Sequence, residues 1–341
     1  MTVISIKDVA RRAGVSPKTV SRVINGEAHV RAEVRDAVQR IVDELGYRPN
    51  AFARSLSSSR SYLLGLFIDD PGSGYAADVQ LGALMRCRER SYHLVVEPLD
   101  VAADSWRGQI ASIIAALRLD GAILTPPLCD NGALLDVLDA AKLPYVLISP
   151  REDVDRSGVV RMDDRAAAFE MTAYLLGLGH RDIGFIKGDP KHSVSALRYA
   201  GFQAAMAVAR VTAGQVLEGD FTLRSGIELG ESLLRAARRP TAIFASNDDM
   251  ALGVLMTAMK LGIHVPEELS IAGFDDAPIA RGIWPPLTTI RQPKAEMAAA
   301  AVDILVDPSY RTCTSLEPYR RLLDFKLIAR TSTSKPRPAA T

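Results

Sequence analysis

The chain has 341 residues, and its 41 lysines and arginines nearly balance its 40 aspartates and glutamates, so the formal net charge is +1. A chain of this length is too long to fold around a single hydrophobic core, so two or three domains are expected. No uncharged apolar run reaches eighteen residues, which excludes a membrane-spanning helix, and no secretory signal is visible at the start. Three widely spaced cysteines, Cys87, Cys129 and Cys313, fit neither a disulfide framework nor a zinc site and indicate a reducing cytoplasm.

The balanced net charge hides an asymmetry along the chain. Residues 1–60 contain 11 basic and six acidic residues, a net charge of +5, and the remainder carries −4. A basic segment joined to an acidic body is typical of a chain in which one module binds nucleic acid. The near-zero total therefore does not exclude DNA as a partner.

Three short helices are predicted within the first 46 residues. Ser5 and Asp8 form a capping box for the first helix, which a glycine ends. Ser16 caps the second helix and Pro17 occupies its first turn, and a third helix is expected from about Ala32 to Leu45. Two short helices joined by a glycine turn, with a third across them, indicate a helix-turn-helix unit. The spacing alone leaves open a small helical bundle with an exposed polar face.

Four stretches carry a further signal, namely Lys7-Asp8-Val9-Ala10, Ala13-Gly14-Val15-Ser16, Thr19-Val20-Ser21-Arg22-Val23-Ile24-Asn25 and Gly46-Tyr47-Arg48-Pro49-Asn50-Ala51-Phe52-Ala53-Arg54-Ser55-Leu56. They resemble, almost without gaps over sixty residues, the DNA-binding start and the hinge of the LacI/GalR family of bacterial regulators. Further motifs downstream extend the resemblance over the whole chain.

The resemblance implies a DNA-reading role for the second helix. Pro17, Lys18 and Arg22 lie where the family reads bases. Arg22 can bind guanine with two hydrogen bonds, worth roughly 1–3 kcal/mol of discrimination, whereas Pro17 offers only apolar contact. Contacts with phosphates, which fix register without reading sequence, are expected from Ser16, Thr19, Ser21, Asn25 and Arg31.

Residues 47–61 are expected to form the hinge. A helix this short is marginal alone in water. The resemblance implies that it orders on DNA, pairs with the hinge of a dimer mate and inserts Leu56 into the minor groove, which kinks the duplex. A disordered serine-rich linker is the alternative and suits the DNA-free state.

From Tyr62 onward, β-rich apolar runs alternate with helical patterns. The expected strands are Leu63–Ile68, His93–Glu97, Gly121–Leu124, Tyr145–Ile148, Ile183–Ile186, Ala242–Ala245 and Ser270–Phe274. The expected helices lie near Ala76–Arg90, Gln109–Leu117, Arg165–Leu178, Ser195–Val208, Ser225–Ala236, Met250–Leu261 and Lys294–Val306. Strand, crossover helix and strand imply parallel sheets with helices on both faces.

The expected fold is an N-terminal all-α helix-turn-helix domain plus an α/β two-lobed domain like that of periplasmic binding proteins. We expect the first domain at 1–46, the hinge at 47–61, a two-lobed effector-binding and dimerisation domain at 62–330, and a polar tail at 331–341. The first lobe takes about 62–161 and 293–322, and the second takes about 162–290 and 323–330.

Three carboxylate pairs end predicted strands: Asp69-Asp70, Asp248-Asp249 and Asp275-Asp276. Ligands in open parallel sheets bind beyond the carboxyl ends of the strands. The alternative is helix capping, which we favour for Asp249 because a helix follows it directly. For Asp275 the resemblance favours effector binding. The effector site that it implies consists of Asp70, Tyr75, Ser149, Arg198, Phe221, Asn247, Asp275 and Trp284.

The type of effector follows from departures from the family pattern. Ser149, Pro150 and Ala76 leave fewer groups for stacking, which favours a sugar over a purine. A regulator with a purine or nucleoside corepressor stays open as an alternative.

Enzymatic signals are not visible in the sequence. The five histidines lack the spacing of metal ligands, and no GxSxG elbow, P-loop or GxGxxG occurs. The acids have Arg198 and Asn247 as companions, a set suited to binding rather than to proton transfer. We therefore expect no catalytic residue, metal or cofactor.

The expected function is a cytoplasmic homodimeric repressor. It binds a near-palindromic operator and is released by a small carbohydrate. A periplasmic-type sugar-binding protein is the main alternative, against which the helix-turn-helix and the missing signal argue. A ligand-free architectural DNA protein is a third possibility, which a ligand titration would separate.

Overall fold

The structure is a computed structural model, and it describes residues 4–24, 30–47, 60–151 and 155–337. The chain divides into two units, Met1–Tyr62 and Leu63–Thr341, one residue beyond the expected end of the hinge. Asn25 and Leu56, two of the expected DNA contacts, lie outside the described residues, as does most of the hinge.

The first unit contains the three helices that the sequence predicts. They are α1 (Ile6–Ala13), α2 (Pro17–Ile24) and α3 (Ala32–Leu45). One fully buried valine from each helix, Val9, Val20 and Val38, forms the centre of a small core. Because so little of each helix is needed for this core, the outward face of α2 is left to solvent.

Short-range contacts set the ends of these helices. The Asp8 carboxylate accepts a hydrogen bond of 3.0 Å from the Ser5 backbone N–H, as expected for its half of the capping box. Gly14 ends α1 in the left-handed conformation with a φ of 65°. The Ser16 hydroxyl accepts a hydrogen bond of 3.1 Å from the Thr19 N–H and so caps α2.

The second unit contains two separate parallel sheets, each covered by helices. Lobe 1 is built on a six-stranded sheet with the order β11-β5-β4-β3-β1-β2, in which β1 is Leu63–Ile68, β2 is His93–Pro98, β3 is Gly121–Leu124, β4 is Tyr145–Ile148, β5 is Gly158–Arg161 and β11 is Arg320–Leu322. Its helices are α4 (Gly74–Glu89), α5 (Trp106–Leu117), α6 (Gly132–Ala140) and α12 (Lys294–Val306).

Lobe 2 is built on a four-stranded sheet with the order β7-β6-β8-β9. These strands are β6 (Ile183–Lys187), β7 (Val216–Glu218), β8 (Ala242–Ala245) and β9 (Ser270–Ala272). Its helices are α7 (Asp164–Gly177), α8 (Ser193–Val208), α9 (Leu223–Leu234), α10 (Asp248–Lys260) and α11 (Pro278–Gly282). An antiparallel pair, β10 (Thr289–Arg291) and β12 (Lys326–Ile328), completes the unit.

Residues 331–334 correct one expectation. They belong to the predicted polar tail, yet they are incorporated into lobe 2. Ser332 is fully buried; its hydroxyl donates to the Ile271 carbonyl at 2.6 Å and accepts from the Thr288 N–H at 2.8 Å. The Ser334 carbonyl lies 2.9 Å from Nε2 of the buried His180. Hydrogen bonds thus hold this polar segment in place, a feature that composition cannot reveal.

Within the part of the chain that the structure describes, no helix is long and apolar enough to cross a membrane.

Candidate functional site

The outward face of α2 carries the predicted base-reading residues. Pro17, Lys18 and Arg22 are exposed, whereas Val20 and Val23 on the opposite side are buried. Lys18 and Arg22 are four residues apart and therefore share one face of the helix. This face presents two long cationic side chains beside an apolar ring.

The residues predicted to contact phosphates lie around the same helix. Ser16 and Arg31 are exposed, and Thr19 and Ser21 are partly exposed. The Ser16 and Thr19 hydroxyl oxygens are 2.9 Å apart, so these two side chains interact with each other at the start of α2.

A cavity of about 560 Å³ lies between lobe 1 and lobe 2. Residues that follow strands of both sheets line it, including Asp70 after β1, Thr125 after β3, Asp189 after β6 and Asn247 after β8. This is the position at which open parallel sheets bind ligands, because loops converge beyond the carboxyl ends of the strands. The volume is in the range of small-molecule sites.

Seven of the eight expected effector residues line this cavity: Asp70, Tyr75, Ser149, Arg198, Phe221, Asn247 and Asp275. Trp284 is the exception, because its side chain is 79% exposed and is not among the described lining residues. A hydrogen bond from the Leu287 N–H to the Ala280 carbonyl spans the segment that contains Trp284.

Arg198 is held by contacts on three sides. Its Nε donates to Asp164 Oδ1 at 2.8 Å and its guanidinium donates to the Ser246 carbonyl at 2.7 Å. The guanidinium lies 3.7 Å from the centroid of the Phe274 ring. Burial raises the pKa of Asp164, and Arg198 opposes this shift. The orientation of Arg198 is therefore fixed before any ligand enters.

Asp164 is a positioning residue that the sequence analysis missed. It opens α7, and an acidic residue at a helix start is usually explained by capping or by the helix dipole. Only the tertiary structure brings it next to Arg198.

Asn247 positions a neighbouring residue of the cavity. Its side-chain oxygen accepts a hydrogen bond of 2.9 Å from the Met250 N–H and caps α10, and its Nδ2 donates to the Phe221 carbonyl at 2.8 Å. The capping role predicted for Asp249 thus belongs to Asn247, and Asp249 itself lines the cavity. Burial and the nearby Asp275 raise the pKa of Asp249.

The neighbouring Asp275 and Asp276 side chains lie in different environments. Asp275 lines the cavity with a φ of 122°, a strained backbone conformation, and accepts a hydrogen bond from Gln292. Burial raises the pKa of Asp275 against the influence of Lys294 and Arg198. For Asp276 burial acts in the same direction, but hydrogen bonds from Arg330 and Arg291 hold its pKa below the usual range.

Lobe 1 contributes a tight turn and a helix start. Asp70 accepts a hydrogen bond of 2.8 Å from the Gly72 N–H, and Ser73 caps α4 by accepting one of 3.2 Å from Ala76. This geometry places Tyr75 in the first turn, against the cavity. Burial raises the pKa of Tyr75 far above its ordinary value, so its hydroxyl stays protonated and can donate a hydrogen bond.

Ser149 follows β4 and completes the lobe 1 side. It is buried and has a φ of 48°. A serine at this position offers a small polar contact and no stacking surface.

Several lining residues were not predicted. Asp189 follows the predicted strand β6, so the strand-end rule would have found it. Asp220 follows β7, a strand that the sequence did not predict. His192 also faces the cavity with its ring centroid 5.3 Å from that of Phe221. Burial lowers the pKa of His192, although Asp189 and Asp69 oppose the shift.

The comparisons with known proteins agree with both halves of the chain. The family model described as "Bacterial regulatory proteins, lacI family" matches residues 5–50, and that of a periplasmic binding protein-like domain matches residues 172–333. The ribose operon repressor of Haemophilus influenzae is 33% identical over 323 residues, which cover 92% of this chain and 96% of the relative. This chain belongs to the LacI family.

A second relative and two solved structures extend the LacI-family match. The HTH-type transcriptional repressor PurR of Salmonella paratyphi B is 34% identical over 334 residues, which cover 95% of this chain and 97% of that protein. A lac repressor dimer bound to operator and the anti-inducer ONPF superposes with a TM-score of 0.75 at 26% identity, covering 98% of this chain and 100% of that chain. The regulator CelR in complex with cellobiose gives a TM-score of 0.73 at 30% identity, covering 96% and 99%.

These matches confirm the expected family and fold. The LacI-family chain is a DNA-binding transcriptional regulator, and the relatives named above are regulators rather than enzymes. Among the described residues, no group of three or more histidines, cysteines or acidic residues is arranged to hold a metal ion.

Proposed function

We propose that this LacI-family regulator is a homodimeric repressor that occupies a near-palindromic operator in the cytoplasm and leaves it when a small carbohydrate binds. The polar cavity lined from both lobes is the observation that carries this proposal. A ligand that contacts both lobes at once stabilises one arrangement of the lobes over others. Such differential binding is what a regulatory switch requires.

The operator-reading role is assigned to α2. Its exposed Arg22 and Lys18 carry donors that match the O6 and N7 acceptors of guanine in the major groove, and Pro17 supplies an apolar contact. The net charge of +5 on residues 1–60 adds attraction to phosphates, which weakens as salt rises. Ser16, Thr19, Ser21, Asn25 and Arg31 fix the register, and Leu56 wedges into the minor groove.

Two exposed apolar patches support the dimer. Leu81 and Met85 lie one turn apart on α4, and Met256 and Met259 share a face of α10. Trp284, after α11, is a further exposed apolar side chain of lobe 2. Exposed apolar side chains in groups mark contact surfaces. The lac repressor, which this chain resembles, was solved as a dimer on its operator, and a dimer aligns two recognition helices with two half-sites.

A carbohydrate fits the lining for a chemical reason. Carboxylates, the Arg198 guanidinium and the Tyr75 hydroxyl provide acceptors and donors for hydroxyl groups, and the Phe221 ring offers an apolar face. Relatives named for ribose and solved with cellobiose are consistent with this choice. A nucleobase corepressor is the second candidate, because the rings of Tyr75, His192 and Phe221 all line the cavity.

The arrangement of Arg198 and Asn247 suits ligand binding rather than catalysis. The Arg198 guanidinium is already paired with Asp164, and the Asn247 side chain already caps α10. Neither is placed to activate a nucleophile, so we propose no catalytic role.

The test begins with operator selection from a random duplex library, followed by fluorescence anisotropy of the selected duplex. Each compound of a panel of sugars and nucleobases is then added. We expect one sugar to raise the dissociation constant of the operator complex, and operator to weaken sugar binding by the same factor. A nucleobase that tightens the complex supports the second candidate instead. Operator binding that no compound changes contradicts both.

A further inference from the structure

The lining of the cavity is strongly acidic. Six aspartates contribute to it: Asp69, Asp70, Asp189, Asp220, Asp249 and Asp275. Among the described lining residues, Arg198 is the one side chain with a permanent positive charge. Its ion pair with Asp164 at 2.8 Å, with both side chains at most 4% exposed, already cancels that charge. Gln292 donates a hydrogen bond to Asp275 and His192 lies near Asp69, but the described lining offers the carboxylates no second permanent cation.

Two of these carboxylates, one on each lobe, have no hydrogen-bonding partner among the described residues. Asp69 follows β1 in lobe 1, and Asp249 lies in the first turn of α10 in lobe 2. Burial and neighbouring carboxylates raise the pKa of both groups. For Asp69, His192 and the exposed Lys191 act in the opposite direction. For Asp249, Lys294 does so, and its Nζ lies 2.7 Å from Asp78.

Three of the other four carboxylates accept hydrogen bonds from their own loops, and the fourth, Asp275, accepts one from Gln292. Asp70, Asp189 and Asp220 each accept a backbone hydrogen bond from a residue two positions along, at 2.8, 2.8 and 2.9 Å. These bonds hold the loops in shape and leave the negative charge in place. A ligand entering the cavity therefore meets negative charge on both lobes.

We propose that the effector is an amino sugar, whose protonated amine is recognised by Asp69 and Asp249, and that phosphorylated sugars are rejected. This rests on the proposed control of the protein by a carbohydrate. When the lobes close, water leaves and carboxylates from both lobes lose solvation, which is costly unless an opposite charge arrives. A protonated amine supplies that charge, whereas a phosphate adds repulsion. No metal-binding group of three occurs among the described residues to supply it instead.

Isothermal titration of the full-length protein tests the proposal. The probes are D-glucosamine, D-galactosamine and D-mannosamine, each beside its parent hexose and the 6-phosphate of that hexose. We expect at least one amino sugar to bind about tenfold or more tightly than its parent, since a charge pair in a partly desolvated cleft outweighs a hydroxyl contact. We expect no binding of the 6-phosphates. Tighter binding of a parent or a 6-phosphate, or no binding by any amino sugar, overturns the proposal.

Operator release, measured on the same preparation, separates this inference from the function on which it rests. If a neutral sugar releases the operator and amino sugars do not, the amino-sugar proposal is wrong, but the proposed repressor controlled by a carbohydrate still stands. Release by nucleobases alone overturns both.

The variants Asp69→Asn and Asp249→Asn identify the recognising carboxylates. Each keeps the side-chain shape and removes the charge, so the ratio of amine affinity to parent affinity is expected to fall to about threefold or less. Asp104→Asn, at an exposed position outside the cavity lining, is the matched control and keeps the preference. An equal loss of affinity for amine and parent would show that the carboxylates serve only as hydroxyl acceptors, and the proposal would be wrong.

Discussion

Replacing Arg198 by methionine removes the cation of the buried pair in lobe 2. Asp164, 2% exposed, then loses its 2.8 Å partner, the Ser246 carbonyl loses a 2.7 Å donor, and the contact with the Phe274 ring changes. Breaking a buried pair by removing one partner costs about 3–5 kcal/mol, because the remaining charge is left uncompensated. That is a large share of a typical stability of about 5–15 kcal/mol. We expect the free energy of unfolding to fall by about 4 kcal/mol.

The stability lost in Arg198→Met is expected to depend on pH, because the variant leaves the Asp164 carboxylate without its cation. Burial already raises the pKa of Asp164 above its unfolded value, and removal of Arg198 raises it further. The native variant then binds a proton that the unfolded chain releases, so its stability is present at low pH and is lost as pH rises through the native pKa. The difference from the wild type should therefore be smaller at about pH 5 than at about pH 8.

Urea unfolding followed by tryptophan fluorescence measures this effect, because both tryptophans, Trp106 and Trp284, lie in the second unit. The double variant Arg198→Met with Asp164→Leu removes both charges and should recover much of the loss, since apolar replacements of buried pairs are often tolerated. A single variant that costs less than about 1 kcal/mol, or a double variant that is less stable than the single one, would refute the reasoning.

Three further predictions concern the proposed function. Arg22→Ala should lose about 1–3 kcal/mol of discrimination at one base pair of each half-site, measured by competition with single-base operator variants; a uniform loss on all sequences would contradict base reading. Asp275→Ala should retain operator affinity in anisotropy assays but no longer respond to the effector, and persistent release would remove Asp275 from the site. Met259→Lys, on the exposed face of α10, should shift the protein from dimer to monomer in sedimentation experiments, and an unchanged dimer would place the interface elsewhere.

Local signals were enough to predict most of the elements. β1, β3, β4, β8, α3 and α12 begin and end where the sequence predicts, because a glycine, a capping residue or a sharp change from apolar to polar marks each boundary. The strands β5, β7 and β10–β12 were missed. Each has three or four residues, too few to show a period, and each is stabilised by pairing with a distant strand.

The candidate site was predicted mainly through the strand-end rule and the family resemblance. Asp275 and Arg198, which the resemblance implied, do line the cavity. Trp284 was implied by the same resemblance, but it lies on the surface and does not line the described cavity.

The sequence by itself determined the two-part charge, the three N-terminal helices, the alternation of strands and helices, and the family. All of these depend on residues close to one another along the chain. Only the tertiary structure decided that Asp164 balances Arg198, that Asn247 rather than Asp249 caps α10, that residues 331–334 are held inside lobe 2, and that six carboxylates share one cavity. Except for the local Asn247 cap, these features join residues far apart in sequence, and burial, which sets the strength of their charges, is a property of the folded chain alone.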